Sequence, residues 1–152
     1  PLTESPAILE YVASLAPQGY LSPVGDPGQL AKMREFNCFL CATVHVAHAH
    51  GPRGSRWAKT DLALKEMRQQ VPVNMLAAFQ LIEQWLQPGP WVLGEHFSIA
   101  DAYLYTFSRW LEMDRVDTRG LKAVLAHRAR MAQRPAVQAV LAAEGIPYIG
   151  DH

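Results

Sequence analysis

Trp91-Val92-Leu93-Gly94-Glu95-His96-Phe97-Ser98-Ile99-Ala100-Asp101-Ala102 is the stretch whose reading decides the fold. Ser98 is placed to cap a helix that begins at Ile99. Asp101, three residues on, is placed to reach back to the Ser98 amide, a capping box with Asp in the usual position of Glu. Phe97, just ahead of the cap, supplies half of a hydrophobic staple. Residues 99–112 are apolar on nearly every side, which predicts a central, buried helix. A buried helix start needs such a cap, because its unpaired amide groups cannot turn to water. Taken alone, the box speaks only for local stability, since many helices carry one.

Outward from this segment the chain reads as helices with short breaks. Residues 60–87 form a helix whose core face carries Met75, Phe79, Ile82 and Leu86. Pro72 either kinks it or starts a new one, and Pro88-Gly89-Pro90 ends it. Residues 121–133 and 136–144 are two further amphipathic helices, with Pro135 near the first turn of the second. Upstream, residues 29–50 form a long helix in which Met33, Phe36, Leu40, Val44 and Ala47 recur at three- and four-residue intervals and so share one face. Gly51-Pro52-Arg53-Gly54 breaks it, and residues 17–28 read as a Pro- and Gly-containing linker. Ser5-Pro6 reads as a helix start, Ser5 as N-cap and Pro6 at the first helical position. Ile8, Tyr11, Val12 and Leu15 then make an apolar stripe that stops by Pro17-Gln18-Gly19. There is no alternating strand pattern, repeat or low-complexity tract, so the expected fold class is an all-α helical bundle.

Composition narrows the function classes. A chain of 152 residues with 49% hydrophobic content is long enough for one domain with a real core. Lys plus Arg and Asp plus Glu both number 14, so no net field draws nucleic acid or an anionic membrane. No apolar run approaches the length of a membrane span, and no basic-then-apolar leader opens the sequence. Cys38 and Cys41 lie on one predicted helix, unlike an extracellular disulfide framework, so a cytoplasmic location is expected.

Set in this order of helices, the opening stretch closely resembles the W-x-x-G-x-x-F-[ST]-I-A-D segment of cytosolic glutathione transferases. Ala102-Tyr103-Leu104-Tyr105, Arg109-Trp110, residues 130–138 and Ala142-Ala143-Glu144-Gly145 resemble the bacterial beta class. Leu2-Thr3-Glu4-Ser5 and Ile8-Leu9-Glu10-Tyr11 resemble the end of that family's thioredoxin-like domain. Residues 46–73 depart most from the family. The resemblance implies three parts: 1–16 as the last helix of the glutathione-binding thioredoxin-like domain, 17–28 as linker, and 29–152 as the helical C-terminal domain. It implies that most of the thioredoxin-like half, with the Tyr, Ser or Cys that acts on the glutathione sulfur, lies outside this sequence. On that reading the stretch alone is expected to be inactive. In the intact protein it implies a detoxifying transfer of glutathione, as co-substrate, to an electrophilic small molecule, or glutathione-dependent thiol or peroxide chemistry, by a homodimer. A non-catalytic helical binding module of the same fold is the competing expectation.

Candidate site residues follow. The Ser5 helix start offers free amide groups, a positive dipole end and a hydroxyl, which suit a carboxylate, and Glu4 can pair with an ammonium. By resemblance, Glu4 and Ser5 hold the γ-glutamyl end of glutathione; the alternative is that Ser5 only caps a helix. Arg34, Asn37, Cys41, His45 and His48 recur at helical spacing beside the core stripe. By resemblance, His45 matches a histidine near the glutathione sulfur, where an imidazole N–H or an imidazolium stabilises the thiolate. Val46 stands where the class has a lysine. Trp110 is assigned to the core or to the wall of the electrophile pocket, and Arg109, beside it, needs a partner if buried. His45, His48 and His50 invite a metal reading, but helical geometry aims His50 away and no metal is expected. Cys38 and Cys41 are read as small buried residues. Arg53, Arg56 and Trp57 either form a solvated loop or hold an anionic or aromatic second substrate.

Overall fold

Apolar residues at helical spacing do form helices in the computed structural model, which describes residues 1–16, 21–86 and 89–147. The elements are α1 (Ser5–Ser14), α2 (Pro27–Phe39), a π-helical turn (Leu40–Val44), α3 (His45–Ala49), α4 (Asp61–Trp85), α5 (Ile99–Ser108), α6 (Lys122–Ala132) and α7 (Pro135–Glu144). Strand-type pairing, among the described residues, is limited to two isolated bridges in the turn over Trp91–His96. There a Cβ on Gly89 would lie 2.4 Å from the Gly94 Cα, so only glycine permits that backbone approach.

Helix α5 sits at the centre, packed against α1, α2 and α6. Met33, Phe36, Leu40 and Val44 meet Met75, Phe79 and Ile82 of α4 and Leu104 and Phe107 of α5 in one core. The capping box at its start is present: the Ser98 hydroxyl accepts from the first-turn amides and the Asp101 carboxylate accepts from the Ser98 amide at 2.7 Å. Asp101 is fully buried and also accepts from the Val92 amide at 2.9 Å and from Nε2–H of His127 at 3.0 Å. Phe97 packs on Trp91, ring to ring at 5.3 Å.

Several expectations are corrected. Glu4, not Ser5, is the residue before α1; Ser5 is its first helical residue and makes no capping bond. The α1 stripe of Ile8, Tyr11, Val12 and Leu15 is 40%, 55%, 48% and 66% exposed, so it does not join the core, to which α1 contributes Ala13 and Leu9. The helix ends at Ser14, and Pro17-Gln18-Gly19 lies outside the described residues. The linker ends at Asp26, whose carboxylate caps α2 through the amides of Gly28 and Gln29, so residues 27 and 28 are helical. The long helix is interrupted by the π-turn, although its core stripe is buried as read. Pro72 lies inside a continuous α4, and α5 ends at Ser108 rather than Glu112. Cys38 is exposed and Cys41 half-buried; Cys38 stands two residues from both Phe36 and Leu40, off the core face of the helix.

Candidate functional site

Chain direction and helix phase bring one set of side chains around a cavity of about 440 Å³, whose lining includes Ser5, His45, His48, Arg53, Tyr103, Phe107 and Trp110. Ser5 opens α1, immediately after Glu4, whose backbone takes φ 69°, the left-handed region a glutamate seldom enters. His45 is the first residue of α3, just past the π-turn. Tyr103 and Phe107 are four apart on α5 and so share a face, and Trp110 follows in the next turn. These rings form an aromatic wall: Tyr103 to Phe107 at 4.8 Å and Phe107 to Trp110 at 4.6 Å, both edge-on, with the His45 imidazole 5.7 Å from Phe107 and from Trp110.

Burial, then the Arg53 cation, then His48 and Arg56, hold the His45 pKa below the ordinary imidazole value. His45 is therefore neutral at physiological pH, which selects the N–H donor over the imidazolium. Burial foremost, with the Cys41 thiol, pushes the Tyr103 phenol up, while the Ser5 hydroxyl pulls it down. The phenol thus stands as a neutral donor beside the start of α1.

The histidine run disperses. Nδ1–H of His48 donates to Asp114 at 2.8 Å, and the His48 ring stacks on Trp110 at 4.1 Å, fixing that wall. Burial pushes the Asp114 carboxyl up, against the hydrogen bond from His48. Nδ1–H of His50 donates to the Val46 carbonyl at 2.6 Å, and its ring stacks on Trp57 at 4.4 Å. Among the described residues no three metal-ligating side chains come together.

Of the residues picked out from sequence, Ser5, His45, His48, Arg53 and Trp110 share the cavity, with Glu4 adjoining Ser5. Arg109 does not join them: its guanidinium donates to the Tyr105 hydroxyl and to the Pro147 carbonyl at 3.0 Å. Arg34 forms a two-pronged pair with Glu10 of α1. Sequence reasoning missed Tyr103, Phe107 and Asp114. Tyr103 and Phe107 had a usable signal in their four-residue spacing ahead of Trp110. Asp114 had none, because its partner is 66 residues away.

Comparison with known proteins now bears on this geometry. The model of the glutathione S-transferase C-terminal domain matches residues 54–135, over half of the chain. The chain belongs to the glutathione S-transferase family. It is 30% identical over 146 residues to Glutathione S-transferase GstA of Escherichia coli O157:H7, covering 95% of this chain and 69% of that protein. Among solved structures, a glutathione transferase homologue from Sulfitobacter with bound glutathione is similar at a TM-score of 0.90 and 43% identity, covering 96% of this chain and 69% of the other. A bacterial beta-class glutathione S-transferase from Sphingomonas chungbukensis is similar at a TM-score of 0.83 and 27% identity, covering 96% and 69%. The likeness to bacterial glutathione S-transferases thus covers more of the chain than the matched domain.

Proposed function

We propose that the whole protein joins glutathione, as co-substrate, to an electrophilic small molecule, and that the cavity between α1, α3 and α5 is where thiol and electrophile meet. The observation that carries this reading is the convergence on one cavity of the α1 start and a neutral imidazole. Residues 1–16 act as the closing helix of the glutathione-binding half, the stretch up to Asp26 as the connection, and the helices from Pro27 onward as the helical domain. The protein works as a homodimer in the cytoplasm, as the free cysteines Cys38 and Cys41 and the family likeness suggest.

The chain's own groups divide the work. The amides, dipole and hydroxyl at Ser5 take the γ-glutamyl carboxylate, and Glu4 takes the ammonium. A strained φ at a non-glycine residue persists where its surroundings over-determine it, which fits a functional Glu4. The His45 N–H donates a hydrogen bond to the glutathione sulfur and so favours the thiolate. The thiol proton leaves to solvent. The sulfur lone pair then forms the C–S bond to the electrophile, and the leaving group departs with the bonding pair. The wall of Phe107 and Trp110 excludes water and packs the electrophile.

Calorimetry on the whole protein tests the division. Glu4→Ala weakens glutathione binding about tenfold or more, the scale of one charge-assisted hydrogen bond, while turnover at saturation changes less. Unchanged binding would remove Glu4 from the site.

A further inference from the structure

The cavity wall has a chemical bias that glutathione chemistry alone does not require. Arg53 comes from the break after α3 and lines the same cavity as the rings of Phe107 and Trp110. Arg56 closes the short 3₁₀ turn that follows. Several arginines are committed elsewhere: Arg34 to Glu10, Arg119 to Asp117, Arg128 to Glu112, Arg109 and Arg130 to backbone carbonyls, and Arg134 over the rings of Trp91 and Phe97. Arg53 and Arg56 have no such hydrogen bond or ion pair among the described residues. The cavity lining contains no carboxylate; Glu4 adjoins it at the α1 end, where the transferase reading gives it to the glutathione ammonium, and Asp114 is committed to His48. The two charges are felt inside, because both contribute to the depression of the His45 pKa.

We propose that this site selects an aromatic electrophile that carries a carboxylate, with the ring against Phe107 and Trp110 and the carboxylate on the Arg53 guanidinium, Arg56 adding charge at the mouth. The inference rests on the transferase reading above. A planar guanidinium meets a carboxylate through two parallel N–H donors, which fixes orientation as well as charge. A ring held at one end by Arg53 and flat against the aromatic wall turns its other end toward Ser5 and His45, where the sulfur is. In the reaction the sulfur forms a bond to the ring carbon bearing the halide. Halide leaves with its bonding pair, the thiol proton goes to solvent, and the carboxylate stays on the ring unchanged.

The test uses the whole protein and two pairs of probes alike except for charge: a chloronitrobenzoate against the matching chloronitrobenzamide for conjugation, and nitrobenzoate against nitrobenzamide for binding without reaction. Wild-type protein binds the nitrobenzoate about tenfold tighter than the amide, as one charge-assisted pair allows. Arg53→Gln brings that ratio to near one, Arg53→Lys leaves it intermediate, and the ratio of kcat/KM for the two conjugation probes falls in parallel. Equal binding of both probes by wild type overturns the proposal, as does a ratio that survives Arg53→Gln. A surviving ratio with a raised glutathione KM would place Arg53 on glutathione instead, and also overturns it. Failure of the transferase reading shows separately, as absence of conjugation of either probe, while the binding ratio still decides the role of Arg53.

Discussion

Asp101 shows how one side chain serves both the start of a helix and the packing around it. It is fully buried, and its two oxygens accept from the Ser98 amide, the Val92 amide and the His127 imidazole. Asp101→Ala leaves those donors unpaired in the core, a loss of about 3–5 kcal/mol by analogy with broken buried pairs. Urea unfolding checks this, and a loss under about 1 kcal/mol would mean the donors find other partners. The capping half was legible because Ser98 and Asp101 sit three apart in the sequence. The other half was not, since Val92 lies nine and His127 lies 26 residues away and the fold alone brings them in. The same limit applies at the site. Helical spacing put His45 and His48 on one line of one helix. It gave no hint that His48 is consumed by Asp114 while His45 stays available, because that depends on which element packs opposite each ring.

At the scale of elements, the helix from Pro27 to Ala49 was read correctly for its core and wrongly for its continuity. Met33, Phe36, Leu40, Val44 and Ala47 are buried as their spacing requires. No proline or glycine marks the π-turn over Leu40–Val44, so nothing in the sequence announces it. On the adjoining line Arg34 is exposed, Asn37 buried and Cys41 half-buried. Asn37 is 1% exposed, and both polar atoms of its side chain lack a hydrogen-bond partner among the described residues. An unpaired buried amide costs about 1–3 kcal/mol, so Asn37→Leu, similar in size and apolar, raises stability by that order. Thermal or urea unfolding reads the change, and a destabilised variant would show that Asn37 has a partner in the whole protein. A connection of another kind links α4 to α6. The Glu83 carboxylate accepts from the amides of Ala123 and Val124 at 2.7 and 2.9 Å, capping α6 from a different helix. Local sequence around residue 121 shows no such cap.

For the molecule as a whole, assembly and catalysis are the two claims that reach beyond this chain. On α4, Leu81 and Trp85 are 43% and 42% exposed one turn apart, and Trp85 meets Phe36 and Phe39 of α2 edge-on at 6.0 and 4.8 Å. This apolar face spans the two helices through which the proposed homodimer forms. Light scattering of the whole protein at micromolar concentration gives twice the subunit mass, and Leu81→Asp shifts it to the monomer. A wild-type monomer contradicts the assembly. The bundle itself was readable from sequence, because helical periodicity and the capped, all-apolar α5 leave few other folds. The cavity was readable only in part: Ser5, His45, Arg53 and Trp110 could be picked out, but that they meet one another and the α5 face of Tyr103 and Phe107 is decided only by packing. The central claim is that His45 faces the glutathione sulfur, and it is tested most directly by titrating the ultraviolet thiolate absorbance of bound glutathione in the whole protein, wild type against His45→Ala. The account predicts a higher apparent thiol pKa in the variant and a turnover lower by about ten- to a hundredfold. An unchanged thiol pKa with unchanged turnover would contradict it.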